Sequence, residues 1–303
     1  MPNKQVTIIV LTYRSTYIVC NAINKILDKG YKIIIVDNGS NDNIEDILQK
    51  NYPNSGIELI LLENNVGFSK GNNVVLKKVT TKYSFLLNPD AVIDEKSIDN
   101  MVIEADKYDD VAMVNPLFFS EKNPTKEQIT KRIKNMKDDV EYVNFICCGA
   151  SLMKMEIFRK IGFLDENIFL YAEDDEISHR IIANNYKNII SNKAFCVHVN
   201  QASVKIETKW QKYKMIYFRS WHQGWGKTYL KRRGKNIVKI WLKIFHRLFL
   251  SLFYFLKFDL NQSINRFAIF NGSIANLIGI DCFKKDNKIP KVVLKKHYMI
   301  KLL

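Results

Sequence analysis

Short β-branched apolar runs alternate with helical stretches from Val6 to Asn88, and this alternation limits the fold more than any other feature. The runs are Val6–Leu11 (VTIIVL), Lys32–Asp37 (KIIIVD), Ile57–Leu62 (IELILL) and Tyr83–Asn88 (YSFLLN). Between them lie helical stretches at Thr16–Lys29 and Ser69–Val79, with a short helix after the second run. Runs of this kind read as parallel strands joined by crossover helices, with both sheet faces covered. The expected class is therefore α/β. In open α/β sheets ligands bind beyond the carboxyl ends of the strands. Thr12-Tyr13, Asp37-Asn38-Gly39-Ser40, Glu63-Asn64-Asn65 and Asn88-Pro89-Asp90 stand at those ends.

After Asp110 the alternation weakens. VAMVNPLFF reads as a further strand, Ser120–Glu141 as a mobile loop or surface helix, and Asn188–Val199 as a strand that closes the first domain. Charge sets the remainder of the chain apart. Residues 1–200 carry 24 basic and 27 acidic side chains, whereas residues 201–303 carry 22 basic and 4 acidic ones. The two parts meet different partners, and a boundary is expected near residue 205: a catalytic domain over 1–205, and a basic, mainly helical extension over 206–303.

Within the extension, Ile237–Phe258 (IVKIWLKIFHRLFLSLFYFLKF) places Lys239, Lys243, Arg247 and Lys257 at about helical spacing among large apolar residues. Its longest uncharged run, Leu248–Leu256, has nine residues, against the roughly 20 needed to span a bilayer. A helix lying in an anionic membrane surface is favoured over one that packs on the first domain with its lysines in solvent. Cys20, Cys147, Cys148, Cys196 and Cys282 are odd in number and have no C-x-x-C spacing, which favours a reducing compartment over a zinc site or disulfide framework. The first apolar run is too short for a secretory h-region, so the expected location is cytoplasmic, peripheral on the inner face of the cell membrane.

Carboxylates supply the candidate chemistry. Asp37 closes a strand, although an Asx turn or helix cap would account for it alone. Asp90 follows Asn88-Pro89 and suits Mg²⁺ or Mn²⁺, which take hard oxygen ligands and share them with phosphates. Glu173-Asp174-Asp175-Glu176 reads as a helix start, where the dipole favours negative charge. The apolar approach IFLYA suggests shelter, and shelter raises a carboxylate toward the range of a useful base. His198 ends a strand and would complete a metal site if it met Asp90 in space.

Taken in order, these segments resemble a family 2 glycosyltransferase, and most closely its bacterial rhamnosyltransferase-like members. The resemblance rests on TIIVLTYRS, IIIVDNGSND, NNVGFSKGNN, FLLNPDA, CGASLMKMEIFRKIGFLDENIFLYAEDDEISHR and VHVNQAS, which together cover about residues 6–203. It implies a glycosyltransferase A fold, a nucleotide-diphosphate-sugar donor, a divalent cation (Mg²⁺ or Mn²⁺) and inversion at the anomeric carbon. It also implies that Thr12, Tyr13, Asp37, Asn65, Gly67 and Asn88 bind the donor, that Asp90 and His198 approach the metal, and that Asp174 is the base. Asn88 replaces the first acid of the D-x-D motif, as in the rhamnosyl-type subgroup. Glu173-Asp174-Asp175-Glu176-Ile177 departs from E-D-x-D-L, so either Asp174 or Asp175 faces the acceptor. The implied reaction is transfer of rhamnose from dTDP-rhamnose to a lipid-linked glycan in O-antigen or capsule synthesis, with a UDP-hexose transferase as the alternative. The Cys147-Cys148 pair is read as strand packing.

Three rival readings fare worse on the residues. A Rossmann dinucleotide site needs glycines between the first strand and helix, where the chain has Thr12-Tyr13-Arg14-Ser15-Thr16. Gly226-Lys227-Thr228 suggests a phosphate-binding P-loop, but Trp221 stands where its first glycine belongs and no apolar strand precedes it. A non-enzymatic nucleic-acid-binding protein would use the basic tail, yet the tail's aromatics share a face with Leu and Ile instead of alternating with its cations. No nucleic-acid partner is expected.

Overall fold

The computed structural model describes residues 5–40, 42–120, 125–134, 136, 138–198, 208–233, 237–280 and 292–295. The proposed boundary at residue 205, Cys282 and the end of VHVNQAS lie outside the described residues. The strands are β1 (Val6–Thr12), β2 (Lys32–Asp37), β3 (Glu58–Leu62), β4 (Tyr83–Leu87), β5 (Ala91–Ile93), β6 (Val111–Phe119), β7 (Val140–Val143), β8 (Ala150–Lys154), β9 (Lys187–His198) and β10 (Val292–Lys295). The helices are α1 (Thr16–Ile23), α2 (Ile44–Asn51), α3 (Phe68–Leu76), α4 (Glu95–Asp106), α5 (Lys126–Lys134), α6 (Met155–Ile161), α7 (Glu173–Ala183), α8 (Lys209–Arg233), α9 (Ile237–Leu256) and α10 (Leu260–Leu277).

The strands form one mixed sheet in the order β10-β3-β2-β1-β4-β8-β6-β9-β5, with β7 also on β9. Strands β3, β2, β1 and β4 run parallel, while β8 is antiparallel to both β4 and β6. Successive side chains on a strand point to opposite faces. Thus Ile8 and Val10 of β1 enter one apolar core with α1, α2 and α4, whereas Ile9 enters the other with α3, α6 and α7. All three are fully buried, and each contributes about 1.5–3 kcal/mol by leaving water. This two-sided burial is why the strands read as continuous apolar runs.

Local departures have local causes. The helix expected over Thr16–Lys29 stops at Ile23. Ile26 still reaches the core through turn hydrogen bonds from Ile26 and Leu27 to the Ile23 carbonyl, and Asp28 and Gly30 turn the chain with positive φ. Apolar spacing is thus met without a continuous helix. Ser120–Glu141 contains α5 and leads into β7, which pairs with β9.

The C-terminal region is helical, as expected, but it also returns a strand. β10 pairs antiparallel with β3 at the sheet edge. Helix α10 packs along both α8 and α9. Among the described residues no helix is long and apolar enough to cross a membrane. On α9, Ile240, Ile244 and Ser251 are buried, while Leu242, Phe245, Phe249, Leu252 and Leu256 are exposed.

Candidate active site

The carboxyl ends of β1, β2 and β4 meet where the sequence places its polar residues. Thr12 lies opposite Asp37 in the β1–β2 register, and the Asn38 N–H donates to the Thr12 carbonyl at 2.9 Å. Thr12 is fully buried and its hydroxyl pairs with that of Ser15, while Tyr13 beside it is exposed. Asp37 does not project freely from the sheet edge. Its carboxylate accepts the Ser40 N–H at 3.2 Å and the Ser40 hydroxyl, and the Ser40 Oγ accepts the Arg14 N–H at 2.8 Å. Burial raises the Asp37 pKa, against the two Ser40 contacts that lower it. Asp37 therefore ties the first two strand-end loops together through the turn that its sequence permits.

Asn38 builds the next layer. It donates to Asn65 Oδ1 at 3.0 Å and to the Gly67 carbonyl at 3.2 Å, and accepts the Val66 N–H at 2.9 Å. Asn65 in turn accepts the Gly67 N–H at 2.9 Å. The loop 64–67 thereby sits over Gly39, where a Cβ would come within 2.6 Å of the Asn64 backbone at a φ of +76°. Only glycine fits there without displacing the loop. Phe68 N–H donates to the Phe169 carbonyl at 2.7 Å, which joins this rim to the approach to α7.

The other rim gathers around Cys148-Gly149. Asn88 N–H donates to the Gly149 carbonyl at 2.8 Å, and the Asn88 carbonyl accepts the Ala91 N–H at 3.0 Å, closing a turn over Pro89 and Asp90. Asp90 Oδ1 and His198 Nε2 are 3.1 Å apart, because β5 pairs Ala91 with His198. A Cβ on Gly149 would touch His198 Cε1 at 3.0 Å and Asn88 Nδ2 at 3.2 Å, so these side chains close in on bare backbone. On the adjacent residue, the Cys148 N–H donates to Asp174 Oδ1 at 2.8 Å. Asn88, Asp90, His198 and Asp174 are thus brought together by one turn.

That turn is held by Asn115, a residue that no sequence motif singles out. Its amide donates to the carbonyls of Cys147 and Ala150 at 2.9 and 2.8 Å and accepts the Cys147 N–H at 2.8 Å. The available signal was a buried asparagine inside the apolar run VAMVNPLFF. Cys147 and Cys148 lie in the turn before β8 and not in a strand, but Cys148 does pack, buried in the apolar core while its N–H meets Asp174.

Helix α7 separates its acids by direction. Glu173 is buried, and its Oε2 has no hydrogen-bond partner among the described residues. Burial and the neighbouring Asp174 push its pKa up to about 8. Burial also raises Asp174, while Cys148 and His198 pull it down. Asp175 instead lines a cleft toward α8. Glu176 pairs with Arg180 at 2.6 Å, and Arg180 also donates to the carbonyls of Ile161, Gly162 and Phe163, a structural brace.

Tyr171 and Ala172, just before α7, have φ of +59° and +86°. Such backbone is costly for residues other than glycine and persists when neighbours enforce it. The neighbour is α8. Phe169 stacks on His222 with centroids 4.9 Å apart, Tyr229 OH donates to Asp165 at 3.1 Å, and a Cβ on Gly226 would meet Ala172 Cβ at 2.7 Å. Gly226-Lys227-Thr228 is therefore mid-helix and no phosphate loop.

Asp90 and His198 supply one carboxylate and one imidazole, a donor set that suits Mn²⁺ or Mg²⁺. Among the described residues no group of three or more His, Cys, Asp or Glu forms a closed cage. A cation here would keep positions for phosphate oxygens and water, so the residues fit a cation shared with substrate.

The family model described as glycosyl transferase family 2 matches residues 7–162. The poly-beta-1,6-N-acetyl-D-glucosamine synthase of Staphylococcus epidermidis is 23% identical over 212 residues, covering 63% of this chain and 49% of that protein. The minor teichoic acid biosynthesis protein GgaB of Bacillus subtilis (strain 168) is 24% identical over 201 residues, covering 61% of this chain and 22% of that protein. This chain thus spans half or less of the length of either relative. In fold it is similar to the mannosyltransferase PcManGT of Pyrobaculum calidifontis, solved with GDP-Man and Mn²⁺, with a TM-score of 0.57 and 15% identity, covering 90% of this chain and 87% of that one.

Proposed function

Because the chain belongs to glycosyl transferase family 2 and has the glycosyltransferase A fold, we propose that it transfers a sugar, with inversion, from a nucleotide-diphosphate donor to a hydroxyl of a lipid-linked glycan in bacterial surface polysaccharide synthesis. The observation that carries this reading is the convergence of Asp174 with Asp90 and His198 around Cys148-Gly149 at the strand ends. In this proposal Thr12, Tyr13, Asp37, Asn65, Gly67 and Asn88 form the donor side. Asp174 takes the acceptor hydroxyl proton as the oxygen attacks the anomeric carbon, and the nucleotide diphosphate leaves with the bonding electrons. Burial strengthens Asp174 as a base, and the Cys148 N–H fixes its orientation. Asp90 and His198 would hold a divalent cation, which supplies positive charge to the departing diphosphate. No nucleophilic Ser or Cys is required for a single displacement.

Asn88 in the first position of Asn88-Pro89-Asp90 favours a rhamnosyl donor, dTDP-rhamnose. The relatives named for poly-N-acetylglucosamine and teichoic acid synthesis support a surface polysaccharide as product, with O-antigen or capsule as the finer assignment. The proposed units are a donor-binding domain over 1–205 and an acceptor- and membrane-facing region over 206–303. Peripheral attachment to the cytoplasmic face of the membrane is supported by the exposed apolar face of α9 and the basic tail.

A panel of dTDP-, UDP- and GDP-sugars, assayed for nucleotide diphosphate release with Mn²⁺, tests this reading. Release from dTDP-rhamnose that disappears in EDTA and in Asp90→Ala is expected. Turnover of a UDP-hexose alone would overturn the rhamnosyl assignment, and full activity in EDTA would overturn the cation.

A further inference from the structure

A cavity of about 570 Å³ opens between α7 and α8, lined by Asp175, Glu176, His179, Lys227 and Lys231 among others. The volume is that of an ordinary ligand site. Its charge is unbalanced. Glu176 is neutralised by Arg180, which leaves Asp175 against Lys227 and Lys231, one helical turn apart on α8. Lys243 and Arg247 of α9 add to the same field: burial lowers the Lys231 pKa, and Arg247, Lys243 and Lys227 lower it further, while Asp175 opposes them. Lys227, Lys231, Lys243 and Arg247 form no ion pair among the described residues. Arg247 is repelled in turn by Arg266, whose buried Nε has no hydrogen-bond partner among the described residues.

Crowding cations on facing helices costs free energy unless an anion joins them. The cavity reaches Asp175, the residue after the proposed base Asp174 on α7. In the proposed function the nucleotide phosphates are served by the strand ends, whose residues do not line this cavity. We propose that this cavity is the subsite for a phosphate or diphosphate ester carried by the sugar acceptor, held by Lys227 and Lys231, to whose positive field Lys243 and Arg247 add. The inference deepens the proposed function and rests on it. Exposed apolar residues of α9, Phe245 and Phe249 among them, lie on the same helix as Lys243 and Arg247, which suits an ester whose tail lies in a lipid surface.

The test uses the full chain and calorimetry. Inorganic pyrophosphate and farnesyl diphosphate are titrated in EDTA, which removes any contribution from a cation at Asp90 and His198, and dTDP and UDP are titrated with Mn²⁺. Lys227→Gln with Lys231→Gln should weaken both diphosphates by about tenfold or more, leave nucleotide binding unchanged, and be rescued by Lys227→Arg with Lys231→Arg. Tighter binding of farnesyl diphosphate than of pyrophosphate identifies a lipid carrier as the source, and equal binding identifies a water-soluble phosphate ester. Pyrophosphate binding that ignores the Gln pair, or a loss confined to phosphatidylglycerol vesicles, overturns the inference. If the wild-type chain binds neither nucleotide with Mn²⁺, the proposed dTDP- or UDP-sugar donor fails, while loss of pyrophosphate binding alone in the Gln pair still supports the subsite.

Discussion

At Asp174 two opposing influences set the chemistry, since burial raises its pKa while the Cys148 contacts and His198 lower it. Burial is the larger, so Asp174, the proposed base, is half-protonated at a higher pH than an ordinary carboxylate. The acid limb of the kcat profile should accordingly fall at a higher pH than an exposed aspartate would give. Asp174→Asn should keep donor affinity but lose turnover by roughly 10² to 10⁴, the usual worth of a general base. Loss of that size in Asp175→Asn, with Asp174→Asn near wild type, would overturn the assignment. Glu173 makes a separate prediction about stability. Its folded pKa is raised from 4.5 to about 8, so the folded state holds a proton that the unfolded state releases between those values. Stability therefore falls as pH rises through that window. Glu173→Gln removes the penalty and should raise Tm at pH 8 by at least about 2 °C, with little change at pH 4; calorimetric scans at both values decide it. The acids of the proposed site stand out in the sequence because each closes or soon follows an apolar run or approach. Asn115 and Gly149 were not, because their work is done on partners brought in by the fold.

Helix α8 shows what an element can do that no local pattern announces. Its contacts with Phe169, Tyr171 and Ala172 depend on glycine and aromatic positions more than forty residues further along the chain. The strained turn before α7 has its support there, so the helix that presents Asp174 is positioned partly from the C-terminal region. Gly226→Ala should force that turn aside. A cost of about 1–3 kcal/mol is expected for overpacking, with kcat reduced more than donor affinity. An unchanged kcat in a folded Gly226→Ala protein would show that the turn relaxes without consequence. The four parallel strands were readable because both their faces are buried. β10 was not, since a short strand at the sheet edge depends on the partner already in place, and the end of α1 was overrun because Ile26 keeps helical spacing after the helix has stopped.

Along the whole chain, charge and apolar exposure are unevenly distributed. Residues 1–200 are net −3 and residues 201–303 net +18, and many exposed apolar side chains cluster on α9 and the turn after it, where Phe258 is 92% exposed. An apolar helix face left in water is costly, and a lipid interface relieves that cost without a spanning segment. Each cation near an anionic leaflet adds about 1 kcal/mol. These two contributions are separable by experiment. Phe245→Ser, Phe249→Ser and Leu252→Ser together should leave only the electrostatic part, so that the variant leaves phosphatidylglycerol vesicles at high salt in a flotation assay. Wild-type binding should weaken, but persist, as salt rises, because only the electrostatic part is screened. Donor hydrolysis should survive the triple substitution, since none of the three residues lies at the strand ends. Retention of the triple variant on vesicles at high salt, or a wild-type protein that ignores them at low salt, would make α9 a packing or oligomerisation element instead.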